Sequence, residues 1–476
     1  MKSIPYLDMV HELLNEADFQ NFQKTYELPI KKSVKLISKR WIDLKNLSEI
    51  IKSTISEERN LWEPDFSYQW KKYTDVLFAT RKQWLKPDSL WNHFLHQAWL
   101  IYVQEMAASL SVQMLWIEPW DKVLDMCAAP WWKSIQIADK LDDWFLISNE
   151  PNSWRKKALE SNIYRCWKYN VWIIQQDGCE IWKLLPEFFD KVLVDAPCSG
   201  EWMQYKSWKK VWQRDEKKSQ KLSQLQIQLL ISWLESLKVW WELVYSTCTT
   251  NPLENECVIS VVLEKCGDII ELLPVPLDEK SDWISTWRDK QIITAENCKK
   301  VARLRPHIQR TGWFFIAKFR KLKSFDSNKL ELNEKDIDSN IFSQLSERWI
   351  SPSKRIWFFT DKFTVNVAPK SLIDSQIQTV IPNIKIWLPI FKVVKDSRKQ
   401  EEKLIPLVWI SQIFWNVATK NVLNISDFQL KTIMGKWDLY DNKLRNYEWN
   451  FILLRRNGIW VWAISVQKWI WKNKCL

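Results

Sequence analysis

The chain has 476 residues, 46% of them apolar and 26% charged, which excludes a disordered tail, a collagen and a small disulfide scaffold and leaves room for roughly two to four cored domains. Lys and Arg outnumber Asp and Glu by 69 to 57, and the net charge of +12 favours a polyanionic partner. No run of 18 uncharged apolar residues occurs, so no membrane span is expected. The opening MKSIPYLDMVHELL carries acids inside its apolar stretch and does not read as a signal peptide. The 9 cysteines, an odd number with no Cys-x-x-Cys, and the 4 histidines lack zinc-ligand spacing. Neither a metal site nor a disulfide framework is expected, and a reducing cytoplasm fits.

One ratio is abnormal. Glycine occurs 6 times and tryptophan 35 times, where an ordinary glycine share would give about 33. Trp120, Trp131, Trp132, Trp240 and Trp241 fall at turns beside strands and helices, where a residue tolerant of positive φ is wanted and indole is the poorest choice. The pattern reads as glycine written as tryptophan, as happens when UGA codons that some bacteria decode as glycine are translated with another table. A truly tryptophan-rich protein is the alternative, and Trp212 is a candidate for a genuine tryptophan.

In chain order, residues 1 to about 90 mix helical stretches with basic positions such as Lys31, Lys32, Lys35, Lys39 and Arg40. From about 120, apolar runs alternate with helical patterns: KVLDMC (122–127), FLISNE (145–150), VWIIQQD (171–177), KVLVDAP (191–197) and ELVYSTC (242–248), with helices expected at 131–141, 152–166 and 216–238. Such alternation predicts a parallel sheet covered on both faces, with ligands at the carboxyl ends of the strands. The sheet pattern stops at WFFIAKF (313–319), and a polar linker leads to strand-like runs such as FILLRR and IWVWAISV in a β-rich end.

The strand ends carry the chemistry. Asp125 to Lys133 reads as a small-residue loop entering a helix, open to a ligand once glycine is read at 131 and 132. Glu150 suits a pair of ribose hydroxyls, and Asp177 an adenine amino group. Singly, each acid is an ordinary strand-end residue; three in register point to a nucleoside crevice. Cys198 and Cys248 each follow a strand on the same side of the sheet, with Asp195 near. Packing explains Cys166, Cys257 and Cys266 better than it explains this pair.

DMCAAPWWK, SNEPNSWRKKALESN, DAPCSGEWM, VWWELVYSTCTTNPLENE and RPHIQRTGWFF, preceded by LWNHFLHQAWLIYVQEMAASL, resemble in order the motifs of the RsmF/NSUN family of RNA cytosine-5 methyltransferases, from about 90 to 320. The departures are mainly tryptophan where the family has glycine. The C-terminal end resembles, less closely, the PUA-like ending of the RsmF branch. The resemblance implies a Rossmann-like class I methyltransferase domain over 116–322, an N-terminal RNA-binding or lead-in region over 1–115, and a PUA-like RNA-binding domain over 335–476. It implies S-adenosyl-L-methionine held by Cys127, Ala128, Ala129, Pro130, Trp131, Trp132, Lys133, Glu150, Asp177 and Asp195, with Cys248 as nucleophile, Cys198 assisting product release and Asp195 on the base. The expected substrate is RNA, 16S ribosomal RNA before transfer RNA, methylated by a cytoplasmic monomer. A silent RNA-binding assembly factor is the competing reading. Nine basic residues and no acid in 299–323, with Lys206, Lys209, Lys210 and Arg214 after the first cysteine, are read as phosphate contacts.

The tryptophan reading has a direct check. Protein isolated from its own host should show an intact mass below the 57.4 kDa of the written chain; a mass of 57.4 kDa refutes it.

Overall fold

The computed structural model describes residues 6–26, 32–37 and most of 101–324, with backbone strands at 62–65, 76–81 and at intervals between 356 and 472. In the N-terminal region, β1 (Lys32–Leu36), β2 (Trp62–Asp65), β3 (Val76–Arg81) and β4 (Ile101–Gln104) form an antiparallel sheet in the order β2-β3-β1-β4. The sequence pattern did not show this sheet, because each strand is only four to six residues long and its alternation is broken by charge. Lys35 corrects the reading of the basic positions here. It is buried and pairs with Asp139 at 3.3 Å instead of facing a polyanion.

The main sheet follows. Its strands are β5 (Val123–Asp125), β6 (Leu146–Asn149), β7 (Val171–Ile174), β8 (Phe189–Asp195), β9 (Leu237–Thr247) and β10 (Ile270–Leu273); then come a short ribbon of β11 (Thr286–Trp287) and β12 (Lys290–Gln291), β13 (Ala302–Leu304) and β14 (Phe314–Lys321). The order is β10-β14-β9-β8-β5-β6-β7, with β13 beside β14. Strands β5 to β9 pair in parallel, as the alternating pattern predicted. β14 enters antiparallel between β9 and β10. From β5 the chain builds outward through β6 and β7, then returns to place β8 on the other side of β5. That reversal opens a crevice at the carboxyl ends of β5 and β8.

β5, β6 and β7 are buried along their whole length, as a sheet covered on both faces requires. Helices Met106–Met114, Trp132–Ala138 and Ser153–Arg165 supply one apolar layer. Helices Glu216–Ser236 and Glu256–Cys266 supply the other, around Trp233, Leu230 and Val262. Ser153–Arg165 starts where Asn152 accepts from Trp154 N at 3.0 Å and Arg155 N at 3.1 Å, an ordinary N-cap. No helix among the described residues is long and apolar enough to cross a membrane.

In the C-terminal part, Ile356–Thr360, Thr364–Pro369, Leu388–Lys395 and Glu402–Pro406 form an antiparallel sheet. A five-stranded sheet contains Phe451–Arg456 and Ile459–Gln467, the runs that read as strands in the sequence.

The tryptophan turns divide. Trp240 has φ 70° and is 68% exposed, and Trp116 has φ 48°. At Trp240 the β8–β9 register breaks, Phe189 facing Leu237 while Lys191 faces Glu242, so β9 bulges there. Trp120 and Trp132 do not share the positive φ expected of turns: Trp132 opens a helix, and Trp131 lies outside the described residues. Left-handed backbone costs a residue with a Cβ roughly 1–2 kcal/mol, and glycine nothing comparable. Trp240→Gly should therefore raise the denaturant midpoint, by about 1 kcal/mol of stability; an unchanged or lower midpoint would count against strain at this bulge.

Candidate functional site

At the end of β5, Asp125 is fully buried and its Oδ2 accepts from Ser134 Oγ at 2.6 Å. Its Oδ1 has no hydrogen-bond partner among the described residues. Burial pushes this carboxyl up to about 7, the charges of Asp195 and Glu150 add to the rise, and the Ser134 bond and Lys133 oppose it. Burial also raises the Cys127 thiol. The loop that follows is tied back twice: Ala128 N donates to Asn149 O at 3.0 Å, and Arg155 Nη2 donates to Ala129 O at 2.6 Å. Pro130 is exposed and Trp132 half-buried, its carbonyl accepting from Tyr102 OH at 2.7 Å.

The predicted acids take different surroundings. Glu150 is 1% exposed; one oxygen accepts from Asn152 N at 3.0 Å, and the other lies 3.4 Å from Arg155 Nη1. Asp177 is exposed and caps a short turn through Cys179 N at 3.0 Å. Asp195, at the end of β8, forms an ion pair with buried Lys133 and accepts from Ser246 Oγ at 2.9 Å. Lys133 also reaches Ser246 Oγ at 3.4 Å and sits 5.0 Å from the Phe314 ring centre.

Beyond Asp195 and Ser246 the two strands release the cysteines. Cys198 Sγ and Cys248 Sγ stand 3.2 Å apart, both half-buried. The hydrogen bond with Cys248 holds the Cys198 thiol well above its ordinary range, reinforced by burial and by the nearby Glu254 charge. The loops interlock: Ser199 Oγ lies 2.9 Å from Thr249 Oγ1, and Ser199 N donates to Glu254 Oε2 at 2.9 Å. Cys166 and Cys266 are buried in the two apolar layers, as packing residues. Cys257 is half-buried.

Sequence reasoning missed three contributors. Ser246 bridges Asp195 and Lys133, and Glu254 and Gln226 brace the Cys198 loop; Ser246 and Glu254 both lie inside the motif VWWELVYSTCTTNPLENE, and Gln226 had no signal. It also missed a wall. Helices Tyr6–Leu13 and Glu16–Tyr26 bring Met9, Val10, Leu14 and Phe22 against Trp313, and Cys248 packs on this cluster. Asp18 anchors it to Arg305 at 3.3 Å.

The basic run 299–323 needs correction. Arg303 is 2% exposed and meets Glu256 through two bonds of 2.6 Å, with Nη1 donating to Thr250 O at 3.0 Å. Arg305, Lys318 and Lys321 are buried as well, pairing with Asp18, Glu242 and Glu187. These residues belong to β13, β14 and the turn between them, where a basic side chain must find an acid inside. Lys299 and Lys323 are exposed; Arg310, Lys206, Lys209, Lys210 and Arg214 lie outside the described residues.

Residues 112–320 match the family model described as 16S rRNA methyltransferase RsmB/F. Ribosomal RNA small subunit methyltransferase F of Erwinia tasmaniensis is 30% identical over 328 residues, 67% of this chain and 63% of that protein. The 26S rRNA (cytosine-C(5))-methyltransferase nsun-1 of Caenorhabditis elegans is 30% identical over 294 residues, 60% of this chain and 42% of that one. The chain thus spans less than two thirds of the length of these curated relatives. A methyltransferase homolog protein from Pyrococcus horikoshii superposes with a TM-score of 0.53 at 26% identity, covering 67% of this chain and 99% of that one. NSun6 of the same organism, solved with SFG, gives 0.54 at 19% identity and shares the fold.

The buried arginine can be tested directly. Arg303→Ala strands the Glu256 charge in the core and should cost roughly 3–5 kcal/mol, read as a lower urea midpoint. A residue serving only as a phosphate contact would leave the midpoint where it was.

Proposed function

We propose, from the match of residues 112–320 to the RsmB/F family model, that the chain is a cytoplasmic, S-adenosylmethionine-dependent enzyme that methylates carbon 5 of a cytosine in RNA, with 16S ribosomal RNA as substrate. The observation that carries this reading is the pair of thiols 3.2 Å apart beside Asp195. Chemistry on an amino group needs neither thiol; addition to a pyrimidine followed by release uses both.

The donor set fits a nucleoside cofactor. Asp125 offers a buried oxygen without a partner among the described residues, Glu150 ends the second strand and exposed Asp177 follows the third. With glycine at 131 and 132, the loop backbone of Cys127 to Lys133 can approach a ligand; two indoles would crowd it. Bound there, the cofactor would supply an electrophilic methyl group.

Everything else falls to the chain's own residues. Carbon 5 of cytosine is a weak nucleophile. Addition of the Cys248 thiolate to carbon 6 makes an enamine that reacts at carbon 5. As the thiolate adds, N3 takes up a proton, and the Asp195 carboxylate, fixed by Lys133 and Ser246, accepts from that N–H. Afterwards the carbon-5 proton passes to solvent, its bonding pair restores the ring double bond as the bond to Cys248 breaks, and Cys198, whose thiol is raised above its ordinary range, stands beside that bond to return a proton to the departing sulfur. The base must leave its stack to reach the thiols. The N-terminal region and the C-terminal β-rich, PUA-like part would hold the RNA around it, and the monomer suffices.

The two cysteines should give opposite phenotypes. Cys248→Ala should transfer no methyl group and form no adduct while still binding cofactor. Cys198→Ala should accumulate a protein–RNA adduct that survives denaturing gel electrophoresis and disappears with ribonuclease, and the double variant should form none. An adduct in Cys248→Ala would reverse the roles; methylation unaffected by either change would refute the mechanism. The silent assembly-factor reading predicts no methylation by the wild-type chain.

A further inference from the structure

Glu254 is completely buried, and among the described residues its carboxylate meets N–H donors and no cation. Oε2 accepts from Ser199 N at 2.9 Å and from Gln226 Nε2 at 3.2 Å, and Oε1 lies 3.4 Å from Asn251 Nδ2. Its own backbone is fixed as well, with Tyr245 OH donating to Glu254 O at 2.6 Å and Glu254 N to Asn251 O at 3.1 Å. A buried carboxylate is an expensive way to fill space. What distinguishes this one is the placing of its partners. Ser199 follows Cys198 directly, while Asn251 and Glu254 itself follow Cys248 on the loop from β9. Gln226, from helix Glu216–Ser236, donates the same Nε2 to Pro197 O at 2.8 Å, one residue before Cys198. The carboxylate is thus the knot between two loops that no backbone ladder joins past Asp195 and Ser246.

We propose that Glu254 is a positioning residue that holds the Cys198 and Cys248 thiols at reacting distance by tying the loop after β8 to the loop after β9. The inference deepens the proposed function by assigning what sets its two-thiol geometry, and that geometry can be measured without RNA. A carboxylate is the only side chain of this length that accepts on both oxygens and donates on neither. Glutamine at 254 would present an NH2 to one of three donors and lose at least one tie. With that tie gone the Ser199 Oγ–Thr249 Oγ1 contact of 2.9 Å is left to join the loops, a looser link that lets the Cys198 loop shift by an ångström or so, and displacements of that size separate productive from unproductive contacts.

The first measurement is chemical. Dibromobimane alkylates two neighbouring thiols, each displacing bromide, and fluoresces on bridging. In the folded protein the Cys198–Cys248 bridge, taken as the signal lost in Cys198→Ala, should form roughly tenfold or more slowly in Glu254→Gln. The second is catalytic: Glu254→Gln should retain wild-type cofactor affinity yet accumulate the covalent RNA adduct, as Cys198→Ala does. Gln226→Met, which removes the outer tie and leaves the carboxylate in place, should move both readouts in the same direction by less, and it decides the matter if Glu254→Gln does not fold. A purely structural Glu254 would lower the melting temperature while the folded fraction bridged at the wild-type rate and formed no excess adduct; that result overturns the inference. If the wild-type chain methylates no RNA, the proposed function fails, and the bridging rates still decide whether Glu254 sets the thiol distance.

Discussion

The parallel pairing of β8 with β9 sets Asp195 opposite Ser246, and the site grows outward from that match. Three residues past Asp195 the chain reaches Cys198, and two past Ser246 it reaches Cys248, so the register of one ladder decides whether the two sulfurs can meet. Side chains alternate faces along a strand, and a slip of one residue would turn Asp195 and Ser246 to opposite faces. The register is defended on both sides. β14 pairs along β9 from Thr247 to Glu242, and Glu242 gathers Lys191, Lys318 and Arg320 about one buried carboxylate. Burial opposes ionisation of Glu242, but the attraction and hydrogen bonds of Lys191 and Lys318 outweigh it and hold the carboxyl below its ordinary range. Charges so placed have no comparable partners in a slipped register.

Polar groups inside the domain do two kinds of work. Arg303 with Glu256 and Lys35 with Asp139 join elements far apart in the chain and are closed to solvent. Asp125, Asp195 and Glu150 crowd negative charge at neighbouring strand ends, and the rise of Asp125 to about 7 records that crowding together with burial. An arrangement that penalises its own ionisation is poor scaffolding. It is the usual sign of a place kept for a ligand or a reaction.

The sequence showed the parallel sheet because β5 to β8 are short apolar runs ending in acids, and it showed the cysteines because each closes such a run. It also marked Trp240 as a position wanting positive φ, though as a turn before the strand and not as a bulge within β9. Direction in space was hidden. Arg303, Arg305, Lys318 and Lys321 look like a basic face when read in line, yet their acids lie far off in sequence, at Glu256, Asp18, Glu242 and Glu187. The N-terminal sheet escaped for the same reason, since its strands recognise each other only across long gaps. Asp177 as a cap depends on a backbone N–H, which leaves no trace in residue identity, and the run NPLENE marks Glu254 without naming its partners Ser199 and Gln226.

The wall of Met9, Val10, Leu14 and Phe22 against Trp313 and Cys248 bears on how the molecule is assembled. Asp18 and Arg305, which fasten it, stand 287 residues apart. Helices Tyr6–Leu13 and Glu16–Tyr26 therefore wait for a surface that is made much later than they are. Until β13 and β14 are in place, the apolar side of those helices has no native partner and the thiol of Cys248 lacks its cover. Contacts of such long range are slow to form, and exposed apolar surface in the interval invites aggregation. In the finished domain both thiols stay half-buried, so the wall narrows access to the site without closing it, and Cys248 is most open while the chain is still being synthesised.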